Sequence, residues 1–310
     1  MLLPARFAAG ITGAPGVPEW YGSIAEALVM PGAWDAVWLS EFASGEAVTE
    51  MLRHRESLRW VHYSPTGVEH LPLDVFLASD VLLTNGAGLY AQPIAEHVVM
   101  CVLAARLNLL GLIRAQARAS WEPDVESDRE LSGSVALILG YGELGRAIAT
   151  RLTALGVTVL AARRSGSIPE GDGVVQANDW RDRLPDVDFL VVTLPSTRET
   201  HGIIGTAELS GMKPGAWLVN VARGNLVDEA ALVESLSGGH LGGAVLDAFV
   251  EEPLPPQHPL WHLENVIISP HSSWRSSRLG ERQLALFNDN LARFLTGGPL
   301  RNLVDPVAGY

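Results

Sequence analysis

The sequence predicts an α/β chain built on parallel sheets. An apolar run, Val135–Leu139, feeds a glycine-rich turn, then a helix, then a second apolar run at 157–162. Further runs at 187–192, 217–221, 244–246 and 266–269 are apolar almost throughout instead of alternating, the mark of strands buried on both faces. The 310 residues exceed one comfortable core, so two domains are expected.

Taken in order, Leu2-Leu3 forms the stub of a first strand, and residues 10–18 hold too much Gly and Pro for an assignment. Residues 36–39 form a strand, Ser44 caps a helix running to about Arg55, and 58–63 form the next strand. That strand ends in the turn Ser64-Pro65-Thr66-Gly67-Val68; residues 71–77 are helical and 81–84 extended. After Asn85-Gly86-Ala87-Gly88 a long helix runs from Gln92 towards Trp121, kinked at Gly111. Its stripe of Ile94, Val98, Val102, Ala105, Leu109 and Ile113 has helical spacing. Residues 122–130 are acidic and proline-containing, a surface loop. Beyond Ser165 a helix is expected at 179–184, another capped by Asp228 and stopped at Gly238-Gly239, and a last one over 279–295.

Composition excludes several classes. A formal net charge of −13 argues against a general nucleic-acid or anionic-membrane binder. One cysteine, Cys101, rules out an internal disulfide and a cysteine zinc cage. His258 and His262 have metal-like spacing, but Pro259 lies between them without a third ligand, so no metal is expected. No apolar run is long enough to span a membrane, and the first residues break their own hydrophobicity, which makes a cytoplasmic location the default.

The turn Gly140-Tyr141-Gly142-Glu143-Leu144-Gly145 has the strand–turn–helix context that gives G-x-G-x-x-G its meaning, a dinucleotide site. Gly140 permits the tight turn, Gly142 lets backbone approach a pyrophosphate, and Gly145 lets the helix pack on the strand. Glu143 and Leu144 open the helix, whose unpaired N–H groups and positive dipole end suit phosphate. In open parallel sheets, ligands bind beyond the carboxyl ends of the strands. Pro195, Arg223, Asp247 and His271 each stand at or just past such an end.

These motifs, with Leu194-Pro195 and Thr200, the run Asn220 to Gly224, the run Asp247 to Pro253, and Ser269-Pro270-His271, come in the order and spacing of one family. The chain resembles the D-isomer-specific 2-hydroxyacid dehydrogenases over nearly its whole length. The resemblance implies two Rossmann-like doubly wound domains, a dinucleotide-binding domain at 89–283 inserted into a smaller substrate domain at 1–88 and 284–310. It implies Arg223, Glu252 and His271 as the catalytic set, the acid directly before Pro253 favouring Glu252 over Glu251. It further implies Leu194, Pro195, Thr200 and Ala222 along the cofactor, with Asp247 accepting from the nicotinamide amide. Thr66 and Gly67 would meet the substrate with Arg223 and His271, and the helix after residue 91 would form a homodimer. The chain stops about where a second hinge returns it to the first domain, so no C-terminal regulatory domain is expected.

The residue types agree with that chemistry. Hydride reduction of a carbonyl needs a proton donor, and imidazole titrates near neutral pH. Glu252 would fix the ring of His271. Arg223 offers a planar fork to a carboxylate and can polarise the C2 oxygen. Main-chain N–H groups at Pro65-Thr66-Gly67 would take the substrate carboxylate, although a plain β-turn fits the segment as well. Trp274 suits either a pocket wall or a core position.

An NAD site places Asp or Glu about 20 residues beyond the glycine turn. Here Ala161-Ala162-Arg163-Arg164-Ser165 fills that place and the next acid is Glu170. Two guanidinium groups and a hydroxyl suit a 2′-phosphate, so NADP(H) is the preferred cofactor with NAD(H) still usable. The expected substrates are small 2-ketoacids and D-2-hydroxyacids, glyoxylate and hydroxypyruvate first by resemblance. Two rivals share the fold. Formate dehydrogenases typically carry Gln where Glu252 stands; nicotinamide-sensing corepressors retain the Arg, Glu and His.

Overall fold

The computed structural model describes residues 1–54, 56–121, 130–164, 166–168 and 174–310. Two compact units emerge, Met1–Tyr90 with Ser276–Tyr310, and Ala91–Arg275. The smaller unit holds a five-stranded sheet of order β2-β1-β3-β4-β5. Its strands are β1 (Leu2–Pro4), β2 (Glu19–Tyr21), β3 (Ala36–Leu39), β4 (Trp60–Tyr63) and β5 (Leu82–Thr84), all parallel. Helices α1 (Ile24–Val29), α2 (Gly45–Arg53) and α3 (Leu73–Leu77) connect them. Ser44 caps α2 as expected, its Oγ accepting from Ala47 N at 3.3 Å.

The C-terminal helix, Leu279–Thr296, belongs to this unit, and the expected hinge at 283/284 falls inside it. Packing explains the placement. Gln283 Nε2 donates to Ser40 O at 3.3 Å, and Phe287 stacks on Trp38 with centroids 4.3 Å apart. Phe7 stacks on Trp38 from its other side at 4.6 Å, and Trp60 lies over Phe287 at 5.6 Å. Buried rings of this size dominate the local energetics. His62 sits among them, fully buried, its Nδ1 2.8 Å from Thr84 Oγ1. Burial pushes its imidazole down to about 3.

The larger unit opens with α4 (Ala91–Arg106) and α5 (Leu109–Ala117). The single helix expected towards Trp121 is broken, and the two pieces bend by 67°. The break is at Asn108, not Gly111. Asn108 adopts a left-handed conformation (φ 50°) that Asn tolerates, and its Oδ1 caps α5 by accepting from Gly111 N at 3.2 Å. Gly111 is needed because a Cβ there would meet the Asn108 side chain at 2.7 Å. Among the described residues no single helix is long and apolar enough to cross a membrane.

A seven-stranded sheet follows, its strands β6 (Val135–Leu139), β7 (Thr158–Ala162), β8 (Val174–Gln176), β9 (Phe189–Val192), β10 (Trp217–Asn220), β11 (Gly243–Leu246) and β12 (Val266–Ile268). Their order is β12-β11-β10-β9-β6-β7-β8, parallel throughout. Helices α6 (Glu143–Ala154), α7 (Thr206–Gly211) and α8 (Glu229–Ser237) complete it. Strands β9 and β11 are buried at every residue, so apolar side chains face helices on both sides. Asp228 caps α8, accepting from Ala231 N at 3.0 Å. The helix expected at 179–184 is a 3₁₀ segment, Trp180–Asp186, which contains Pro185. The loop expected at 122–130 lies, apart from Glu130, outside the described residues.

Candidate active site

The reversal of strand order between β6 and β9 places the glycine turn at the switch point of the larger sheet. Gly140 ends β6 with φ 101°, a conformation that favours glycine. Thr193 Oγ1, from the end of β9, donates to Gly140 O at 2.8 Å and ties the two strand ends together. Gly142 is the N-cap of α6 and brings no side-chain cap, so the first N–H groups of the helix stay available. A Cβ on Gly142 would meet nothing within 4 Å, whereas one on Gly145 would land 2.1 Å from Gly140 O. Gly142 thus leaves open space over an uncapped helix start, and Gly145 lets α6 press on the turn. The residues present fit a pyrophosphate.

At the end of β7, Arg163 and Arg164 are both exposed. Arg163 Nη1 donates to Ser167 O at 3.1 Å. Arg164 belongs to the charge environment of Glu199. The carboxyl of Glu199 is held below its usual range by its own main-chain N–H and by Thr197, with smaller help from Arg164 and Arg198. Ser165, expected beside them, lies outside the described residues. Past β9, Leu194 is half-buried and Pro195 exposed. Thr200 Oγ1 donates to Pro195 O at 2.7 Å and accepts from Thr197 N at 2.8 Å, which closes this loop on itself.

Asn220 ends β10 and is 1% exposed. Its Oδ1 accepts from Ala222 N at 3.1 Å and its Nδ2 donates to Arg223 O at 2.8 Å, an Asx-type clamp that sets the backbone of Arg223. Arg223 Nη1 donates to Ala222 O at 2.8 Å. A Cβ on Gly224 would lie 2.0 Å from Phe249 C, so this turn and the segment after β11 touch through glycine. On that segment Glu252 Oε1 accepts from Phe249 N at 2.9 Å, and Oε2 meets His271 Nδ1 at 2.8 Å. Of the two adjacent acids, Glu252 is the one that reaches the histidine. An ionised carboxylate only accepts, so Nδ1 carries a proton and Nε2 is the nitrogen left to exchange one. The pair is 41% and 37% exposed, within reach of a ligand.

Along one sheet edge the carboxyl ends therefore present His271, Asp247, Arg223, Leu194 with Pro195, Gly140 and Arg163, in that order. Asp247 is buried and accepts from Ser272 N at 2.9 Å, within the loop that bears His271. Trp274 is not a core residue; it is 37% exposed and its Nε1 donates to His271 O at 2.8 Å. His258 pairs with Glu229 at 3.3 Å, and Glu229 Oε1 accepts from Val250 N at 3.2 Å, which supports the segment leading to Glu252. Among the described residues no group of three or more His, Cys, Asp or Glu could hold a metal. In the smaller unit Thr66 Oγ1 donates to Gly86 O at 3.1 Å and Asn85 Nδ2 to Thr66 O at 2.8 Å, which shapes the turn at Thr66 and Gly67.

Sequence reasoning missed His97 on α4, whose Nε2 lies 3.3 Å from Ser269 Oγ. A polar residue amid the apolar stripe of a helix was the available signal. It also missed Thr193, visible only as a hydroxyl at a strand end.

A family model described as the D-isomer-specific 2-hydroxyacid dehydrogenase NAD-binding domain matches residues 99–273. A glyoxylate/hydroxypyruvate reductase B from Pectobacterium carotovorum is 33% identical over 269 residues, covering 85% of this chain and 84% of that protein. An NADPH-dependent glyoxylate/hydroxypyruvate reductase from Sinorhizobium meliloti, in complex with NADP and sulfate, superposes with a TM-score of 0.85 at 27% identity, covering 100% and 99% of the two chains. A D-isomer-specific 2-hydroxyacid dehydrogenase from Xanthobacter autotrophicus, in complex with NADPH and MES, does so with a TM-score of 0.75 at 32% identity, covering 84% and 82%.

Proposed function

Because the chain belongs to the D-isomer-specific 2-hydroxyacid dehydrogenases and is an NAD(P)-dependent oxidoreductase, we propose that it reduces small 2-ketoacids to D-2-hydroxyacids and prefers NADPH. Glyoxylate and hydroxypyruvate are the leading substrates, as the names of its relatives suggest. The carrying observation is the 2.8 Å contact between Glu252, on the segment after β11, and His271, after β12, on the same sheet edge as Arg223, after β10, and the glycine turn.

A reduced nicotinamide held at the glycine turn would supply a hydride for C2 of the ketoacid. His271 gives a proton from Nε2 to the C2 oxygen, so the carbonyl gains one hydride and one proton and becomes a hydroxyl. Glu252 keeps Nδ1 protonated and balances the charge of the ring. Arg223 anchors the substrate carboxylate and polarises the C2 oxygen. Thr66 and Gly67 are assigned to the substrate carboxylate through their main-chain N–H groups. The uncapped start of α6, at Glu143 and Leu144, takes the pyrophosphate, and Leu194, Pro195, Thr200 and Ala222 line the rest of the cofactor.

The preference for NADPH rests on Arg163 and Arg164, with Ser165, standing where an NAD site keeps its acid. Steady-state reduction of a 2-ketoacid panel with NADPH and with NADH tests both halves of the proposal. Turnover of glyoxylate or hydroxypyruvate, faster with NADPH, is the expected result. Arg163→Ala with Arg164→Ala should then erase the preference, and an unchanged NADPH-to-NADH ratio would refute it.

We also assign a homodimer contact to the face of α4 and α5 that exposes Met100, Leu109, Leu112 and Ile113 by 56, 43, 45 and 52%. Leu112→Glu should shift the protein from dimer to monomer in analytical ultracentrifugation; an unaltered dimer would place the interface elsewhere.

A further inference from the structure

We propose that Phe42 is a specificity-determining residue of the smaller unit, and that it directs the enzyme towards 2-ketoacids with a single negative charge and an apolar group beyond C2. The inference rests on the reading of Thr66 and Gly67 as the turn that takes the substrate carboxylate. Strands β3 and β4 are parallel neighbours in which Leu39 pairs with Tyr63. Phe42 and Thr66 each come three residues past that pair, so their loops leave the same sheet edge from strands about 4.8 Å apart. Ligands of open parallel sheets bind beyond such ends. A ketoacid whose carboxylate is held at Thr66 and Gly67 therefore has its chain within reach of the loop after β3.

Phe42 is 65% exposed, yet its ring is held. It stacks on His70 with centroids 4.5 Å apart and planes inclined by 25°. His70 Nε2 lies 2.9 Å from the hydroxyl of Tyr63, which is fully buried. The backbone on either side of Phe42 is anchored as well. Ser40 N donates to Tyr21 Oη at 3.2 Å, and Ser40 O accepts from Gln283 Nε2 at 3.3 Å. Ala43 is buried, and a Cβ on Gly45 would lie 2.1 Å from His70 O, so the start of α2 presses on the segment that carries the stacking partner. The ring stands outside the buried core with its orientation set in advance. A side chain fixed before binding loses little entropy when a ligand covers it.

Charge at the same edge favours a single anion. Arg6, two residues past β1, pairs with Glu41, and its Nη2 donates to Ser40 O at 3.2 Å. β3 lies between β1 and β4, so this pair flanks Phe42 on the side away from Thr66. The guanidinium is engaged by the residue next to Phe42, and Glu41 opposes a second carboxylate or a phosphate on the substrate. Glyoxylate has no carbon beyond C2 to cover the ring. A branched aliphatic group does, and it removes apolar surface of both partners from water.

The test measures kcat/KM at saturating NADPH for glyoxylate, 2-ketoisocaproate and 2-ketoglutarate in the full-length protein. Wild type should reduce 2-ketoisocaproate at least about tenfold more efficiently than 2-ketoglutarate, the low end of what an apolar contact contributes to discrimination. Phe42→Ala should lower the 2-ketoisocaproate-to-glyoxylate ratio at least about tenfold on the same ground. Phe42→Tyr, which keeps the ring, should restore that ratio. His70→Ala should lower it less, and His70→Phe, which keeps the stack, should retain it. A ratio in Phe42→Ala within twofold of wild type would overturn the proposal, as would a wild-type preference for 2-ketoglutarate. If Phe42→Ala does not fold, a wild-type ratio in His70→Ala overturns it equally. Glyoxylate separates the levels. No turnover of any of the three by wild type defeats the ketoacid-reductase reading and this inference together; glyoxylate turnover with an unmoved ratio defeats this inference alone.

Discussion

Replacing Glu252 with Gln removes one charge and almost no volume, and the site's geometry sets how much should be lost. In the wild type, Oε1 holds Phe249 N at 2.9 Å and Oε2 holds His271 Nδ1 at 2.8 Å. The glutamine oxygen can keep Phe249 N, so the segment after β11 stays in place. The amide nitrogen then faces His271, and two donors meet unless the imidazole yields the proton on Nδ1. A hydrogen bond to a charged group contributes about 1.5–3 kcal/mol. Both side chains are more than a third exposed, 37% and 41%, so solvent screening reduces that figure to roughly 1–2 kcal/mol. At 1.36 kcal/mol per decade the expected fall in kcat is about 5- to 30-fold. The assay is steady-state oxidation of NADPH with glyoxylate, paired with a binding titration of NADPH that should not move. A kcat within twofold of wild type, or an equal loss of NADPH affinity, would refute the role given to Glu252.

Other outcomes follow from single groups. His62 takes a proton in the unfolded chain at its ordinary value near 6.5 but in the folded unit only near 3, so stability falls as pH drops below about 6.5. The loss from this residue should reach about 2 kcal/mol at pH 5. Urea unfolding at pH 7 and pH 5 measures it through the fluorescence of Trp38 and Trp60, whose rings lie 5.9 and 5.8 Å from the imidazole. In His62→Leu that pH dependence should shrink by the same amount, and an unchanged slope would contradict the assignment. Gly145→Ala puts a Cβ 2.1 Å from Gly140 O, so α6 must retreat from the turn. The Kd for NADPH should rise at least tenfold, with stability lowered by about 1–3 kcal/mol; unchanged binding would mean that the turn does not hold the cofactor.

Much of the larger sheet was legible because its strands are buried on both faces, so β9, β10 and β11 stand out as apolar runs. The edge strands hid. β2 and β8 keep exposed residues, Glu19 and Gln176 among them, and neither shows a run. Ser44 and Asp228 were readable as caps because capping is local chemistry. Asn108 was not, since nothing local separates a left-handed Asn from the glycine three residues on as the breaking point of α4 and α5. The same boundary divides the site. Gly140, Gly142 and Gly145 carry their meaning within one turn, and the pairing of Glu252 with His271 came from motif order. The partners of Asp247 lie 22 to 26 residues away, and His97 comes 172 residues before Ser269, so only the folded sheet joins them. Hence the sequence pointed Asp247 at the cofactor, and only the fold adds that its carboxylate also accepts from the loop that bears His271.

The central claim is that His271 delivers the proton in NADPH-dependent reduction of a 2-ketoacid. Single-turnover and steady-state reduction of glyoxylate and hydroxypyruvate, followed by the absorbance of reduced nicotinamide in wild type and His271→Ala, tests it most directly. The account expects wild-type turnover and a fall of roughly 10²- to 10⁴-fold in kcat for the variant, with the Kd of NADPH unchanged. No turnover of any 2-ketoacid by the wild type, or a variant that loses cofactor affinity as much as rate, would contradict it.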